Sequence, residues 1–390
     1  MRKTLTFCLL ALFGTLPPSS QAAGKVVTQS QPDVSLRNEA ENAIGKGLTW
    51  LANKQQPGGW WAQTEHPALT AMILTAFQGD PSNFYKRKYE QNIKLGYDYL
   101  ASNVKPDGSI YVKDLKNYNT ALSMMAFLVA NNTAYEPILK NGRKFLISQQ
   151  DDFGDKGMGD HPLDGGMGYS GSYKNSDINN TTLALEALHY TRYLKSDVAN
   201  DPETKDLNWK AAAQFISRTQ NLQGTNDQPF ASNDPDNKGG FVYFPENSMA
   251  GQTTLPDGKV VYRSYGSASY NGLLSLTYAQ VDVKDPRVKA VLDWLNRNYS
   301  LEENPGMGQA GLFYYYHMMA KGLSLAGVDT LTLKDGKKLK WRPALAKRLL
   351  DLQASDGSWV NQQNGRFWER DPHLVTAHAI LTLEILYRGL

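Results

Sequence analysis

The sequence predicts an all-α protein, an (α/α)6 toroid of six helical pairs with two small β-hairpin insertions. Three observations lead there. Along residues 39–390, amphipathic helices alternate with helices that are apolar or small nearly all the way round, and helices of the second kind are buried on both faces. Six such pairs follow one another at intervals of roughly forty to seventy residues, the mark of a repeat architecture. Neither terminal pair has the polar outer face that an open solenoid needs at its ends, whereas closing the pairs into a ring buries both ends at once.

The chain of 390 residues carries net charge +3 and 41% hydrophobic residues, enough for a large core. Arg2 and Lys3, the apolar run Leu5 to Leu16 and the small residues Ser20-Gln21-Ala22 read as a secretory signal peptide over residues 1–22. Cleavage after Ala22 leaves charge +1, which gives no reason to expect a nucleic-acid partner. The only cysteine, Cys8, lies within that signal, so the exported chain has no disulfide, thiolate nucleophile or cysteine metal ligand. No later apolar run is long enough for a transmembrane segment. The expected protein is exported, to the periplasm or beyond, with a polar, patternless lead-in at 23–38.

The first pair joins Ala43–Leu51 to the buried Ala68–Leu74 through a turn at Gln55 to Trp61. The second joins Ile93–Leu100 to Thr120–Val129 across Pro106-Asp107-Gly108. The third runs from a helix ending Phe145-Leu146-Ile147-Ser148 to the stretch opening Asp177-Ile178-Asn179-Asn180. The fourth joins Trp209–Ile216 to Ala268–Leu274, with a hairpin turn at Pro256-Asp257-Gly258. The fifth joins Val288–Leu295 to Gly311–Met319, and a second hairpin signal, Lys334-Asp335-Gly336-Lys337, follows. The sixth joins Ala344–Leu352 to Leu374–Leu381.

In such a ring all inner helices run the same way, and their N-termini surround one mouth of the central cavity. Unpaired N–H groups and positive dipole ends converge there. Binding candidates at those starts are Glu65, His66, Asn119, Asn180, Arg263 and Tyr265, with Tyr270, Tyr315 and Trp368 offering flat apolar contact deeper in. Asp177, Asp371 and His373 are the catalytic candidates. Arg263 is the expected anchor, because a guanidinium forks onto anionic groups; the alternative is that it pairs with Asp177 or Asp371 and holds the ring shut. Asp177 can equally be a helix cap, and His317 and His378 read as hydrogen-bonded core residues.

Gln353-Ala354-Ser355-Asp356-Gly357-Ser358-Trp359 matches the Gln-x3-Gly-x-Trp repeat of squalene–hopene cyclases, and Gln55-Gln56-Pro57-Gly58-Gly59-Trp60 is a near match. Gln150 and Gln220 keep the glutamine. The chain thus resembles the terpenoid-cyclase and protein-prenyltransferase superfamily, and most closely the exported single-toroid bacterial proteins with prenyltransferase/squalene-oxidase repeats. Gly239-Gly240-Phe241, Arg263 to Ala268, Asn304 to Gln309 and Leu312 to His317 look typical of that group. The resemblance implies an isoprenoid-like ligand in the central cavity. It also implies a proton donor in an Asp-x-Asp-Asp run, but the donor position here is Asn179, and an amide cannot protonate an alkene. Zinc-dependent prenyl transfer needs a cysteine that the exported chain lacks.

Asp151-Asp152-Phe153-Gly154-Asp155 fits a magnesium-diphosphate string but sits where a solvated turn is expected. No metal or cofactor is therefore expected. Three function classes remain: a protein binding or converting an isoprenoid, a carbohydrate-active (α/α)6 lyase or hydrolase, or a non-catalytic binding or scaffold protein. A dry aromatic cavity favours the first, a wet polar one the second, a filled centre the third. The sequence leaves the oligomeric state open.

Overall fold

A computed structural model describes residues 33–170, 175–194 and 206–390. The expected signal peptide, with Cys8, lies outside the described residues. The expected lead-in at 23–38 ends early: Asp33 caps a helix by accepting from the Leu36 N–H, and Leu36 is buried, so residues 34–38 are already helical.

In chain order the helices are α1 (Val34–Lys54), α2 (Pro67–Gly79), the short α3 (Phe84–Lys88), α4 (Glu90–Ser102), α5 (Lys116–Val129), α6 (Glu136–Ser148) and α7 (Ile178–Tyr190). They continue as α8 (Trp209–Arg218), α9 (Gly266–Tyr278), α10 (Pro286–Arg297), α11 (Leu312–Leu325), α12 (Trp341–Asp351) and α13 (Pro372–Tyr387). Helices α2, α5, α7, α9, α11 and α13 each pack on the next in that order, and α13 packs back on α2. That closed cycle is the inner layer of an (α/α)6 toroid; α1, α4, α6, α8, α10 and α12 form the outer layer. The two hairpin signals form antiparallel ribbons, Gln252–Thr254 on Val260–Tyr262 and Thr330–Thr332 on Lys338–Lys340.

One turn joins outer to inner helix again and again. The Gln353 amide donates to the Gly357 carbonyl at 2.9 Å and to the Ala43 carbonyl of α1 at 2.9 Å. Gln55 bridges Gly59 and Asn92, Gln150 bridges Gly165 and Asn208, and Gln220 bridges Gly239 and Arg287 in the same way. Each glutamine therefore ties its own turn to the next outer helix, and Gln353 ties the last turn to the first. A hydroxyl of the inner helix then accepts from the turn: Thr70 from the Trp61 N–H, Thr120 from Ile110, Thr181 from Met167, Ser269 from Phe241 and Thr376 from Trp359.

This alignment corrects the register of the first repeat. The indole of Trp61 donates to Leu51 as that of Trp359 donates to Leu349, so Trp61, two residues after Gly59, completes Gln-x3-Gly-x-Trp.

The turn glycine cannot be replaced. Gly165 has φ +86°, and a Cβ there would lie 2.1 Å from the Ala211 carbonyl oxygen of α8. Gly224 has a similar φ, +93°, but faces open space. Gly165→Ala should therefore cost about 3 kcal/mol or more, against roughly 1 kcal/mol for Gly224→Ala. Urea unfolding of the two variants measures the difference, and equal losses would show that the close approach to α8 contributes nothing.

Candidate functional site

The inner helices start at one face of the ring, and neighbouring loops as well as the helices' own residues cap those starts. Asn119 accepts from the Ala68 N–H of α2, Asn304 from the Ser267 N–H of α9, and Glu369 from the Phe313 and Tyr314 N–H groups of α11. Asp177 caps α7 through the Asn180 N–H at 2.9 Å, and Asp371 caps α13 through the His373 N–H at 2.9 Å. Asn119, expected as a binding residue, is thus fully buried and committed to structure, its amide also donating to Asp114 and Leu115.

The catalytic candidates do not form one constellation. Helices α7 and α13 stand three places apart in a ring of six, so Asp177 and Asp371 lie on opposite sides of the mouth. Asp371 bonds the His373 Nδ1 at 2.8 Å, and His373 packs on Trp50, ring centroids 5.2 Å apart. Burial works to raise the Asp371 pKa, but the hydrogen bonds and charge of His373 outweigh it and hold the carboxyl low. Trp50 lines an outer groove of about 470 Å³ together with Asp356 and Arg370.

On the α7 side, five tyrosines surround Asp177 and Asn180. Tyr118 starts α5, Tyr169 and Tyr243 lie on the loops before α7 and α9, Tyr265 is the N-terminal cap of α9, and Tyr314 lies in the first turn of α11. The Tyr118 and Tyr169 rings are 5.9 Å apart, and burial, with the nearby Asp177 carboxyl, raises the pKa of Tyr314. Asp177 is buried, and desolvation pushes its carboxyl up to about 7 against hydrogen bonds from Asn180 and Tyr243. Burial likewise raises the tyrosines, Tyr118 to about 12 and Tyr265 well above the ordinary value. All five rings are therefore neutral at pH 7.

Asn179 belongs to a second network. Its carbonyl oxygen accepts from the Asn271 amide at 2.7 Å, and Asn271 also bonds the Tyr314 hydroxyl at 2.9 Å. This ladder crosses α7, α9 and α11. Further along the same helices, Lys321 of α11 reaches both carboxylate oxygens of Glu186 of α7 at 2.6 Å. Helix α9 stands between α7 and α11 in the ring, so the pair bridges the lumen in front of α9. On α5, Tyr118, Leu122, Met125 and Val129 keep some exposure at helical spacing, which marks an apolar wall of the lumen.

Other candidates lie elsewhere than expected. Tyr270 and Tyr315 pack on each other between α9 and α11, centroids 5.6 Å apart and 0% and 1% exposed; they belong to the wall, and Tyr314 and Asn271 are their lumen-side neighbours. Arg263 is exposed and, among the described residues, forms no ion pair with Asp177 or Asp371, so it does not hold the ring shut by such a pair. The cation near Tyr265 is Arg366.

Trp368 does stand at the rim, 57% exposed, its ring 4.7 Å from that of His66, with Glu65 beside His66. Phe367 and Trp368 both have left-handed backbones, φ +60° and +65°, which L residues adopt at some cost in strain. The aspartates of the 151–155 string bind their own turns: Asp151 bonds Ser176, and Asp152 accepts from the Gly157 N–H. Among the described residues no group of three or more His, Cys, Asp or Glu side chains is placed to hold a metal ion, and no helix is long and apolar enough to cross a membrane.

No family model matches the sequence. No curated protein matches it either. Solved structures do match. A variant of the type II terpene cyclase MstE from Scytonema, in complex with geranylgeranyl dihydroxybenzoate, is 11% identical over 92% of this chain and 100% of its own, with TM-score 0.54. The GH76 α-mannanase of Bacteroides thetaiotaomicron is 13% identical over 92% and 99%, TM-score 0.54. A possible GH105 member from Salmonella enterica is 12% identical over 95% and 100%, TM-score 0.52. At such identities the likeness is one of fold, and the fold serves both terpene and carbohydrate chemistry.

The buried carboxyl gives stability a pH dependence. Native Asp177 titrates near 7 and an unfolded aspartate near 4, so between these values only the native state holds the proton. Its contribution to stability therefore falls as pH rises from about 4 to about 7, by a few kcal/mol, and is level above that. Asp177→Asn keeps a cap acceptor and removes the titration, so the stability gap between variant and wild type should shift in the variant's favour across that window. Denaturation midpoints at both ends measure it; an unchanged gap would mean that Asp177 titrates in the native state as it does unfolded.

Proposed function

We propose that this is an exported protein that binds a neutral, hydroxyl-rich ligand of the saccharide class at the inner-helix N-terminal mouth of its toroid. The observation that carries this reading is the polar ladder Asn179–Asn271–Tyr314, which continues towards Lys321 and Glu186. Amides and phenols both donate and accept, as sugar hydroxyls do. The exposed Trp368 with His66 supplies the flat apolar face on which a pyranose ring stacks. A long hydrocarbon chain in the same lumen would strip water from these polar groups and leave them only one another as partners. Asn179, in the place where the resemblance expects a proton donor, is an amide bonded to another amide, so no alkene protonation is assigned to it.

A second reading, an isoprenoid ligand, draws support from the apolar wall of Leu122, Met125 and Val129 and from the fold shared with a terpene cyclase. One experiment separates the two. Calorimetric titration with neutral saccharides and with geranylgeraniol in detergent should give heat only with the former. Tyr314→Phe and Trp368→Ala should each weaken saccharide binding roughly tenfold without moving the melting temperature appreciably. Binding of geranylgeraniol alone would overturn the saccharide reading, and hopene-type products from squalene would overturn the assignment at Asn179.

A further inference from the structure

His317 and His378, expected to be hydrogen-bonded, are buried with unpaired Nδ1 atoms that are closed off from any ligand. A site needs surface that a ligand can touch, and the outside of the ring offers it. A groove of about 510 Å³ opens between three separate stretches of chain: the loop before α9, the last turn of α10 and the second ribbon. That volume falls within the range of small-molecule sites, roughly 300–1,000 Å³.

Charge in the groove is unequal. Lys238 comes from the loop, Arg297 from α10 and Lys334 from the ribbon's turn, and all three are exposed. Among the described residues none of them belongs to an ion pair. Asp236 is the one carboxylate among the lining residues, so the groove carries two positive charges net. Other acids nearby point elsewhere. Asp234 accepts from the Asn237 amide at 2.6 Å, Asp335 accepts from the Lys337 N–H at 3.0 Å, and the exposed Asp293 does not line the groove. Cations gathered from three segments repel one another, and a concave wall concentrates their field on whatever enters.

The floor is fixed before any ligand arrives. The Trp294 indole of α10 donates to the Asp236 carbonyl at 2.9 Å, and Arg297 Nη2 donates to the Lys238 carbonyl at 3.0 Å. The guanidinium keeps Nε and Nη1 for another partner. Gly239 lies so close to α10 that a Cβ would come within 2.1 Å of the Ala290 carbonyl oxygen. The ribbon is tied to the same helix end, where the Thr332 N–H donates to Asn296 at 2.9 Å.

Two amides complete the wall. Asn233 accepts from the Gln223 N–H and keeps its own N–H donors, whereas Asn298 donates to the Trp294 carbonyl and keeps its oxygen. A donor and an acceptor beside three cations match a molecule with both hydroxyls and a negative group. Each outer helix ends where the following inner helix begins, so the end of α10 belongs to the mouth face. The groove lies one helix layer outward of the mouth, roughly 8–10 Å.

We propose that this groove binds an acidic sugar, a pyranose bearing a carboxylate or a phosphate, at the outer rim of the mouth face. Arg297 and the two lysines meet the charged group, and Asn233 and Asn298 meet ring hydroxyls. The groove shares no residue with the mouth, so either site can be present without the other.

The test is calorimetry on the full chain with glucuronate, glucose 6-phosphate, inorganic phosphate and glucose. Both acidic sugars should bind about tenfold more tightly than inorganic phosphate at low salt, and lose most of that affinity by about 0.3 M salt. Lys238→Gln and Lys334→Gln should each weaken them about threefold, and together about tenfold. Asp236→Asn should tighten them about threefold. No loss of folding mimics that gain, and only the backbone of Asp236 holds Trp294. Acidic-sugar binding that ignores all three substitutions, or that disappears in Tyr314→Phe, would overturn the groove as the site. Inorganic phosphate bound as tightly as the sugars would overturn the sugar class, and no binding by any anion would overturn the site altogether. Heat from glucose should survive the lysine substitutions; its loss with them would overturn the requirement for charge.

Discussion

The side-chain amide of Gln353 holds together two carbonyls from opposite ends of the chain, that of Gly357 four residues on and that of Ala43, 310 residues back. Two ordinary hydrogen bonds would matter little by themselves. Here they sit at the seam where the last turn meets the first outer helix, and three other glutamines make the same bridge around the ring. The indole of Trp50 reaches Asp356 at the same seam, and Tyr387 reaches Glu41. With the seam closed, no inner helix has an exposed edge, and small-residue helices such as α7 and α9 are solvated on neither face. The closed cycle is what allows so apolar an inner layer in a protein without disulfides among its described residues.

Closure also sets the chemistry of the centre. Six helix starts converge on one mouth, and buried N–H groups must each find an acceptor. The ring meets this demand largely from its own loops: Asn119, Asn304 and Glu369 cap helices other than their own. What remains inside is a lumen with one polar side, from Asn179 to Lys321, and an apolar side on α5. That asymmetry separates this centre from a uniformly apolar tunnel.

The fold was legible because its signals are local and periodic. Helix alternation, the Asp-Gly hairpins and the Gln-x3-Gly-x-Trp turn at 353–359 each sit within a short window. At the first repeat Gln55, Gly59 and Trp61 have the full spacing and Trp60 only a near match, and the Trp61 indole confirms the register by donating to Leu51. The site was less legible, since capping across the ring depends on which loop lies beside which helix. Asn119 of α5 is thereby taken up in capping α2, and Glu369, more than fifty residues from the start of α11, caps that helix. In the run Phe313 to Tyr316 a shift of one residue turns a ring from lumen to wall: Tyr314 bonds Asn271, whereas Tyr315, the expected contact, donates to the Ser300 carbonyl. One signal is present in three of the five turns: two residues beyond the apolar position stand Tyr169, Tyr243 and Asn361, all engaged at helix starts.

The seam also bears on how the chain can be cut. The start of α1 and the end of α13 lie side by side, with Arg37 stacked over the Tyr387 ring at 4.6 Å. A short linker could therefore join them, and the break could be moved to an exposed connection such as the turn at Pro256-Asp257-Gly258. The ring is topologically indifferent to where translation starts. Its folding rate is not, because the natural order leaves the longest-range contact until the last helix has emerged, and a permuted order would redistribute that delay.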